Sequence, residues 1–478
     1  MSLVFTEKNL NEIYTITSGL SKSSEEFGFG FPFLSFKTIF YNYYINEDLD
    51  ELVNSTEEEQ KKHSVKKGDV FLTRTSETLD ELGMSCVALR DYPNATFNGF
   101  TKRLRPKKDN IIYPLYACYY FRSTLFRKYV DSMAIMTTRA SLNNNILSKL
   151  PIIFPNYEDQ KKIGYLLHNL DKKIELNKEI NKNLEDTILK IFDSWFVKFE
   201  LSNEFSDSKL GLIPKGWKID YLGSKKSCSI IRSSIDEFDN SKIYVATADV
   251  DNSIITSNDT LITMNDKPSR ANMQPIAKSI WFVKMIDSRK LIMIDDYCSD
   301  LLNNYIFSTG FCGLKCVDKY FYYLWAFLLT DAFDVMKNNF CTGTTMQAIN
   351  NKDTKLIEFV LPDDNIINQF NVIAKPMFKK IYYNSLEIKK LQKLRDTLLP
   401  KLMSGEIDVS KINCDLKIII RKIYIKFSKL FLWRYLSENQ NHIKNTKSNE
   451  TLLKSRTIYQ INKFLAKFNA RYRYYRQQ

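Results

Sequence analysis

Side chains that can bind nucleic acid occur at matching places in the two halves of the sequence. The segment VFLTRT (70–75) carries Thr73 and Arg74, and SIWFVKM (279–285) places Lys284 at an offset of 210 residues from Arg74. The segments TTRASLNNN (137–145) and TTMQAINNK (344–352) begin 207 residues apart. Arg, Lys, Asn and Gln read base edges, whereas Lys, Arg and hydroxyl groups bind phosphates. The matched positions are therefore candidate contacts to a nucleic acid.

A wider set of candidates has the same residue types. In the first half, the basic residues that follow Asn98 are expected in a turn. Each residue alone could equally be a solvated charge, but the repeated placement of Arg74 with Lys284, and of Thr138 with Thr345, supports the group. The candidate DNA contacts are Thr73, Arg74, Asn98, Lys102, Arg103, Arg105, Thr137, Thr138 and Arg139 in the first half, and Arg270, Lys284, Arg289, Lys290, Thr344, Thr345 and Gln347 in the second.

The motifs that commonly carry catalysis are missing. No GxxxxGK[ST] or GxGxxG motif is present, and no Asn/Asp-Pro-Pro-aromatic tetrad suited to base methylation. The three histidines lie far apart, and the Cys312/Cys316 pair has neither a histidine nor a second cysteine pair nearby. The Asp295-Asp296 pair is better explained as a turn than as metal ligands. We therefore predict no catalytic residue and no metal site in this chain.

The net charge of +14 is distributed unevenly along the 478 residues. Residues 411–478 contain 16 Lys and Arg against 3 Asp and Glu, which leaves 53 and 52 for residues 1–410. A nearly neutral body thus precedes a basic C-terminal extension of unknown role. A nucleic-acid surface on the body therefore requires local clustering of Lys and Arg. The eight scattered cysteines, a polar N-terminus and the lack of a long apolar run predict a cytoplasmic protein without a membrane span.

Two long helices must position these side chains. After a strand-rich region, apolar residues and two asparagines recur at alternating steps of four and three, which indicates a helix seam. Asparagine within such a seam lowers stability but specifies register and partner. The predicted seam comprises Leu170, Ile174, Asn177, Asn181, Leu184, Ile188, Ile191 and Trp195, and a second helix contributes Ile388, Leu391, Leu398 and Leu402.

The order of these elements predicts a tandem duplication with an α+β fold, in which each globular module is followed by a long helix. A Ser-, Gly- and Asp-rich stretch separates the halves. The predicted divisions are a first module at 1–156, a helix at 157–200, a linker at 201–216, a second module at 217–363, a second helix at 364–410 and the extension at 411–478. Two heads on helices of about 60 Å are suited to half-sites one to two DNA turns apart.

Three segments resemble the specificity (S) subunits of type I restriction–modification systems. They are LDKKIELNKEINKNLEDTILKIFDSWFVKFE (170–200), IPKGWKIDYLGS (213–224) and LRDTLLPKLMSGEIDV (394–409). The passage TTRASLNNNILSKLPIIFPNYEDQKKI also fits the point where that family's recognition domain joins a conserved helix. The order and duplication of the segments, over residues 1–410, carry the resemblance more than any single motif.

The resemblance implies that each module is a target-recognition domain that reads half of a split site in double-stranded DNA. It also implies that the two helices pair as an antiparallel coiled coil, set the gap between the half-sites and dock two methyltransferase subunits. Those subunits bring S-adenosylmethionine, and restriction subunits with ATP- and Mg-dependent translocase and nuclease activity then join. The chain itself would be non-catalytic and bind no cofactor.

The second half departs from the family pattern, and two other functions remain open. The second helix begins DNIINQFNVI and lacks the Glu-Gln pair that Glu158-Asp159-Gln160 approximates, so we expect the second docking surface to differ. One alternative is a stand-alone nuclease with duplicated domains, whose clustered carboxylates a sequence can hide. The other is a structural coiled-coil protein with no nucleic-acid role. Cleavage of DNA by the chain alone would favour the first, and lack of DNA binding with partners present would favour the second.

Overall fold

The structure is a computed structural model that describes residues 4–136, 140–257, 259–344 and 346–409. No helix within these ranges is long and apolar enough to cross a membrane. Four candidate contacts, Thr137, Thr138, Arg139 and Thr345, lie outside the described residues. The basic extension at 411–478 also lies outside them.

The first module is built from short strands and short helices. Its strands are Phe5–Asn9, Tyr14–Ser18, Phe27–Leu34, Leu52–Val53, Val70–Thr73, Thr75–Ser76, Ser85–Val87, Thr96–Phe97, Thr101–Pro106, Ile135–Met136, Ala140–Ser141 and Pro151–Pro155. Its α-helices are Leu10–Ile13, Phe36–Tyr41, Glu57–Lys62, Pro114–Tyr120, Thr124–Met133 and Asn144–Lys149, with a 3₁₀ turn at Ser24–Glu26.

The second module has a comparable content. Its strands are Phe205–Ser208, Gly211–Pro214, Lys218–Tyr221, Cys228–Ile230, Lys242–Val245, Val250–Asp251, Ile254–Ile255, Leu261–Ile262, Ala271–Met273, Ser279–Val283, Leu291–Ile294, Tyr305–Ser308, Phe311–Cys316 and Glu358–Leu361. Its α-helices are Ser299–Asn304, Phe321–Leu328 and Asp331–Asn339, with 3₁₀ turns at Thr247–Asp249, Asp318–Tyr320 and Asp353–Leu356.

Each module contains a four-stranded antiparallel sheet with the same strand order. The order is Tyr14–Ser18, Thr101–Pro106, Val70–Thr73 and Ser85–Val87 in the first, and Cys228–Ile230, Phe311–Cys316, Ser279–Val283 and Leu291–Ile294 in the second. The register agrees as well, because Val70 pairs with Leu104 while Ile280 pairs with Leu314, both shifted by 210 positions. A one-residue slip would turn every side chain to the opposite face, so the shared register preserves which side chains face the core.

The two modules are closed in the same way, and each closure leads into a long helix. The first strand of the first module, Phe5–Asn9, pairs antiparallel with its last strand, Pro151–Pro155. Lys218–Tyr221 pairs with Glu358–Leu361 in the second module. Each long helix then starts behind a side-chain cap, since Asn156 Oδ1 accepts from the Asp159 amide at 3.0 Å and Asp363 Oδ1 accepts from the Ile366 amide at 3.0 Å.

The long helices are Tyr157–Phe192, which continues into a π-helical turn at Asp193–Val197, and Asp364–Met403. Each helix begins at one module and ends in the other. Ile188, Phe192 and Phe196 pack into the apolar core of the second module. Leu402 and Met403 pack into the core of the first module. Each module is therefore held by both helices.

The predicted linker at 201–216 contains a β-hairpin formed by Phe205–Ser208 and Gly211–Pro214. One local prediction was wrong. The basic residues at 102, 103 and 105 do not lie in a turn, because they belong to Thr101–Pro106, an inner strand of the first sheet. The sequence alone did not indicate this strand, because the groups that pair with its charged residues lie far away along the chain.

Candidate nucleic-acid interface and the helix pair

Arg74 and Lys284 occupy equivalent positions in the two sheets. Each directly follows an inner strand, Val70–Thr73 in the first module and Ser279–Val283 in the second. The Arg74 amide donates to the Phe100 carbonyl at 3.2 Å, and the Lys284 amide donates to the Gly310 carbonyl at 3.0 Å. Both pairs of partners are separated by the same shift of 210 positions. The two modules therefore present one cationic side chain each at the same structural position.

A tight turn beside each of these cations is capped by a side chain. Asn98 Oδ1 accepts a hydrogen bond from the Phe100 amide at 2.7 Å, and Ser308 Oγ accepts one from the Gly310 amide at 3.2 Å. Short polar side chains commonly stabilise turns in this manner. The predicted contact Asn98 thus has a structural role that uses its carbonyl oxygen, which leaves only its amide nitrogen to donate to a ligand.

Short backbone pairings next to or within the described parts of the repeated segments form the third part of each site. In the first module, Ile135–Met136 pairs with Ala140–Ser141, which also pairs with Thr75–Ser76 next to Arg74. In the second module, Ala348 bridges both Thr342 and Met285, the latter next to Lys284. Strand end, capped turn and these backbone pairings therefore meet at one edge of each module.

Aromatic and apolar side chains at this edge are open to solvent. Phe100 is 61% exposed, and the Arg74 guanidinium lies 5.9 Å from its ring centroid. The buried Arg74 Nε has no hydrogen-bond partner among the described residues. Met285 and Met346 are exposed in the second module. A cation beside an exposed ring can contact phosphate and stack on a base, which is the chemistry of nucleic-acid binding.

Several predicted contacts in the first module lie inside the protein. Thr73 is fully buried, and its Oγ1 accepts from the Met84 amide at 3.0 Å. Lys102 donates to Ser18 Oγ at 2.8 Å, and burial, together with the charge of Arg74, lowers the pKa of its amine. Both side chains are therefore engaged inside the protein and are not available at the candidate interface.

The two neighbouring arginines are also engaged internally. Arg103 is buried, donates to the Ser64 carbonyl at 2.6 Å, and has a pKa lowered to about 10 by burial. Arg105 donates from Nε and Nη2 to the two carboxylate oxygens of Asp69, at 2.8 and 2.6 Å. The buried Asp69 is thereby neutralised by a bidentate partner, which is the strongest geometry for such a pair.

The second module leaves more of its candidates accessible. Arg270, Thr344 and Gln347 are exposed. Lys284 and Lys290 are half-buried and donate to backbone carbonyls, to Thr309 at 3.1 Å and to Thr247 at 2.8 Å.

Arg289 is exposed but engaged. It forms ion pairs with Asp331 and Asp334 at the start of the helix Asp331–Asn339. Among the predicted contacts in the described part of the chain, Arg74, Arg270, Lys284, Thr344 and Gln347 are the best placed to meet a ligand.

The two long helices run in opposite directions and share a central polar layer. Asn177 Nδ2 donates to Glu387 Oε2 at 2.8 Å, and Asn384 Nδ2 donates to Asn181 Oδ1 at 2.8 Å. Asn181 Nδ2 also donates to Ser385 Oγ at 3.2 Å. As positions rise along the first helix, their partners fall along the second. The sequence had placed Asn177 and Asn181 on the seam but did not identify their partners.

The remaining seam residues divide by position. Leu170, Ile174, Leu184, Ile388 and Leu391 are buried or half-buried along the helices. The residues at the ends of the predicted seam belong instead to the module cores: Ile188, Ile191 and Trp195 pack with the second module, and Leu398 and Leu402 pack with the first.

A buried ionic contact that sequence reasoning missed joins the two long helices, and two tyrosines of the first module pack against it. Arg395 Nη1 donates to Asp171 Oδ1 at 2.7 Å, and Tyr119 Oη donates to Asp171 Oδ2 at 2.7 Å. The Arg395 guanidinium also lies 5.8 Å from the Tyr43 ring centroid. Both Asp171 and Arg395 lie off the apolar seam, so the heptad pattern carried no signal for them.

Gln160 also acts inside the protein. Its Nε2 donates to the Ile111 and Pro155 carbonyls at 2.9 Å each, and its Oε1 accepts from the Tyr113 amide at 2.8 Å. At the matching place in the second helix, Ile367 is buried in an apolar cluster. The difference between the two helix starts is therefore a difference in internal packing at this position.

Known proteins resemble this chain along most of its length. A family model described as the type I restriction modification DNA specificity domain matches residues 4–186, which include the first module and most of the first long helix. The chain is 28% identical over 418 residues to the type I restriction enzyme MjaIX specificity subunit of Methanocaldococcus jannaschii, covering 85% of this chain and 93% of that protein. It is 23% identical to the HindI specificity subunit of Haemophilus influenzae, covering 73% and 88%.

A solved structure has a comparable fold. The crystal structure of a type I restriction–modification S subunit from M. genitalium matches with a TM-score of 0.53 and 14% identity, covering 84% of this chain and 96% of that one. This likeness supports the α+β class with long helices. The family model and the sequence relatives confirm the resemblance that the three sequence segments indicated.

Proposed function

We infer that the chain belongs to the type I restriction–modification specificity subunits and serves as the DNA-recognition subunit of such a complex. The observation that carries this conclusion is the paired arrangement of the two modules. Each presents a cation at the end of the same inner strand, with a capped turn at one edge, and the arrangement recurs with a shift of 210 positions. Two equivalent edges are suited to two half-sites.

The chain is, in this proposal, a tandem duplication whose modules each read one half of a bipartite DNA site. The long helices form an antiparallel coiled coil that sets the gap between the halves. Support comes from the anchoring of each helix in both modules, because a spacer fixed at both ends transmits its length directly to the two heads. A helix of 40 residues is about 60 Å long, which exceeds the roughly 34 Å of one DNA turn.

Catalysis is assigned to the partners. The chain would bind double-stranded DNA and dock two methyltransferase subunits that bring S-adenosylmethionine. Restriction subunits would add ATP- and Mg-dependent translocation and cleavage. The seven cysteines within the described residues are free thiols, which suits the reducing cytoplasm where such a complex would act.

A module exchange tests this function. The first module, up to Pro155, is replaced by that of a relative, and the variant is co-expressed with its methyltransferase. Sequencing of the methylated genome should show one half-site changed and the other retained, and the purified complex should contain two methyltransferase chains per copy. A continuous site, or a change in both halves, would contradict the two-head account.

A further inference from the structure

One face of the first module is both aromatic and strongly acidic. Residues 22–62 contain nine Asp and Glu against four Lys, although residues 1–410 are nearly neutral. Within this stretch the strand Phe27–Leu34 exposes three phenylalanines. We call this surface the acidic aromatic face; it consists of Phe27, Phe29 and Phe31 with the exposed carboxylates of Glu25, Glu51, Glu57 and Glu58.

Backbone geometry holds the phenylalanines outward. Phe27 and Phe31 both pair with Val53, so the residues between them bulge from the strand. Gly28 and Gly30 have φ values of 93° and 96°, which L side chains rarely adopt. Phe29 lies between them and is 51% exposed. A bulge built from two such glycines to expose an aromatic ring is typical of an interaction surface.

The charge of this face restricts what can bind there. Its carboxylates would repel DNA phosphates, whereas the candidate DNA edge of the module carries the cation Arg74 beside Phe100. A second copy of the chain is also disfavoured, because a symmetric contact would place like charges opposite each other. The surface suits a basic segment that also carries aromatic or aliphatic side chains.

The chain itself contains such a segment. Residues 451–478 carry seven Lys and Arg, no Asp or Glu, and six aromatic residues. The described chain ends at Val409, which is buried in the core of the first module, so the extension leaves from the same module that bears the acidic aromatic face. The intervening residues, about 41 in number, can span more than about 130 Å at full extension, well beyond the width of a module.

We propose that residues 451–478 bind the acidic aromatic face of the first module. Lys and Arg side chains pair with the carboxylates of Glu25, Glu51, Glu57 and Glu58, while the aromatic residues cover Phe29 and its neighbours. This contact keeps the basic extension bound to the protein. The charge of the extension is then not free to bind DNA without sequence preference.

Carboxylate-to-lysine crosslinking of the full-length chain tests the proposal. A zero-length carbodiimide reagent at low salt should link Lys454, Lys463 and Lys467 to Glu25 and Glu51 within one chain. The yield of these links should fall several-fold at about 0.5 M salt, because screening weakens the contact. Linked peptides are identified by mass spectrometry.

Two variants separate the charged and apolar parts. The first is the double variant Glu57→Lys with Glu58→Lys, which retains the helix cap formed by Thr56 and Glu59. It should lower the crosslinking yield at Glu25 and Glu51 several-fold. The matched control is Asp236→Lys with Glu237→Lys, an exposed acidic pair in the second module, which should leave the yield unchanged.

The second variant, Phe29→Ser, should also lower the yield although every charge is kept, whereas Tyr221→Ser, at an exposed ring in the second module, should not. Links spread evenly over both modules would overturn the proposal. Links that join two chains, or that join the extension to a methyltransferase subunit, would assign the segment to another partner and refute it. A yield insensitive to the Glu57/Glu58 and Phe29 variants would also refute it.

Discussion

Arg74 and Arg105 show how side chains of one type divide between an accessible edge and an internal ion pair. Arg74 lies half-buried beside the exposed ring of Phe100, whereas Arg105, in the strand Thr101–Pro106, is bound to the buried carboxylate of Asp69. Sequence reasoning identified both arginines as candidates because residue type was all it could use. Burial and distant partners decide which of them can reach a ligand.

At the residue scale, we expect Arg74 to contribute to recognition but not to stability. Arg74→Ala removes a cation whose buried Nε has no hydrogen-bond partner in the described part of the chain. The loss should be about 1–3 kcal/mol, or roughly 5- to 150-fold in DNA affinity, and should concern only the first half-site. Lys284→Ala is the matched variant for the second half-site. Binding to DNA with either half-site altered measures the effect, and unchanged affinity for Arg74→Ala would remove it from the interface.

Arg105 should behave in the opposite way. Arg105→Ala leaves the fully buried Asp69 carboxylate without its bidentate partner. We expect a loss of about 2–3 kcal/mol in the free energy of unfolding, somewhat below the range for a fully buried pair because Arg105 is partly exposed. Lys61→Ala, which breaks an exposed ion pair with Glu57, should have no measurable effect. Equal stability of the two variants in denaturant titrations would show that the Arg105 pair is not structural.

At the element scale, the two long helices are apolar at their ends and polar at their centre. The ends pack into the module cores, and the centre contains amides that bond across the helices. Asn177 Oδ1 and Asn384 Oδ1 are buried without a hydrogen-bond partner among the described residues, so the layer costs stability. A costly polar layer that pairs only in one alignment favours a single register of the two helices.

The amide contact can be measured by a double-mutant cycle. Asn181→Ala and Asn384→Ala should each destabilise the chain, with a coupling energy of about 0.5–1.5 kcal/mol, because the two side chains share a direct hydrogen bond. Asn181→Ala combined with Thr187→Ala is the control, since Thr187 bonds to its own helix and the two effects should add. Additive effects for Asn181 and Asn384 would mean that the contact does not couple the helices.

The periodic patterns of these elements could be predicted from the sequence, whereas contacts between residues far apart in the chain could not. The heptad steps predicted both long helices, and the repeated segments predicted two comparable modules. The strand Thr101–Pro106 and the hairpin formed by Phe205–Ser208 and Gly211–Pro214 were missed because charged and polar residues there resemble a turn and a linker. The Asp171–Arg395 contact joins residues far apart in sequence, so no local pattern could indicate it.

At the scale of the whole molecule, the boundary of the recognition unit is testable. Val409 is buried in the core of the first module, so a chain ending at Ser410 keeps every described apolar contact. We expect this truncated chain to assemble with the methyltransferase and to direct methylation of the same sequence. Size measurement of the complex and sequencing of the methylated genome check the two parts. Loss of assembly would place the extension within the structural core.

We infer that the helix pair sets the distance between the half-sites. Since each helix is anchored in both modules, lengthening only one would strain the pair. Seven residues are therefore inserted at matching places in both helices, after Leu184 in the first and before Ile381 in the second. A heptad keeps the seam facing its partner and adds about 10 Å to each helix, or roughly three base pairs.

Sequencing of the methylated genome in cells that express this doubly extended chain with its methyltransferase is the most direct test. We predict that both half-sites keep their sequence and that the unread gap between them becomes longer by about three base pairs. Active methylation with an unchanged gap would contradict it.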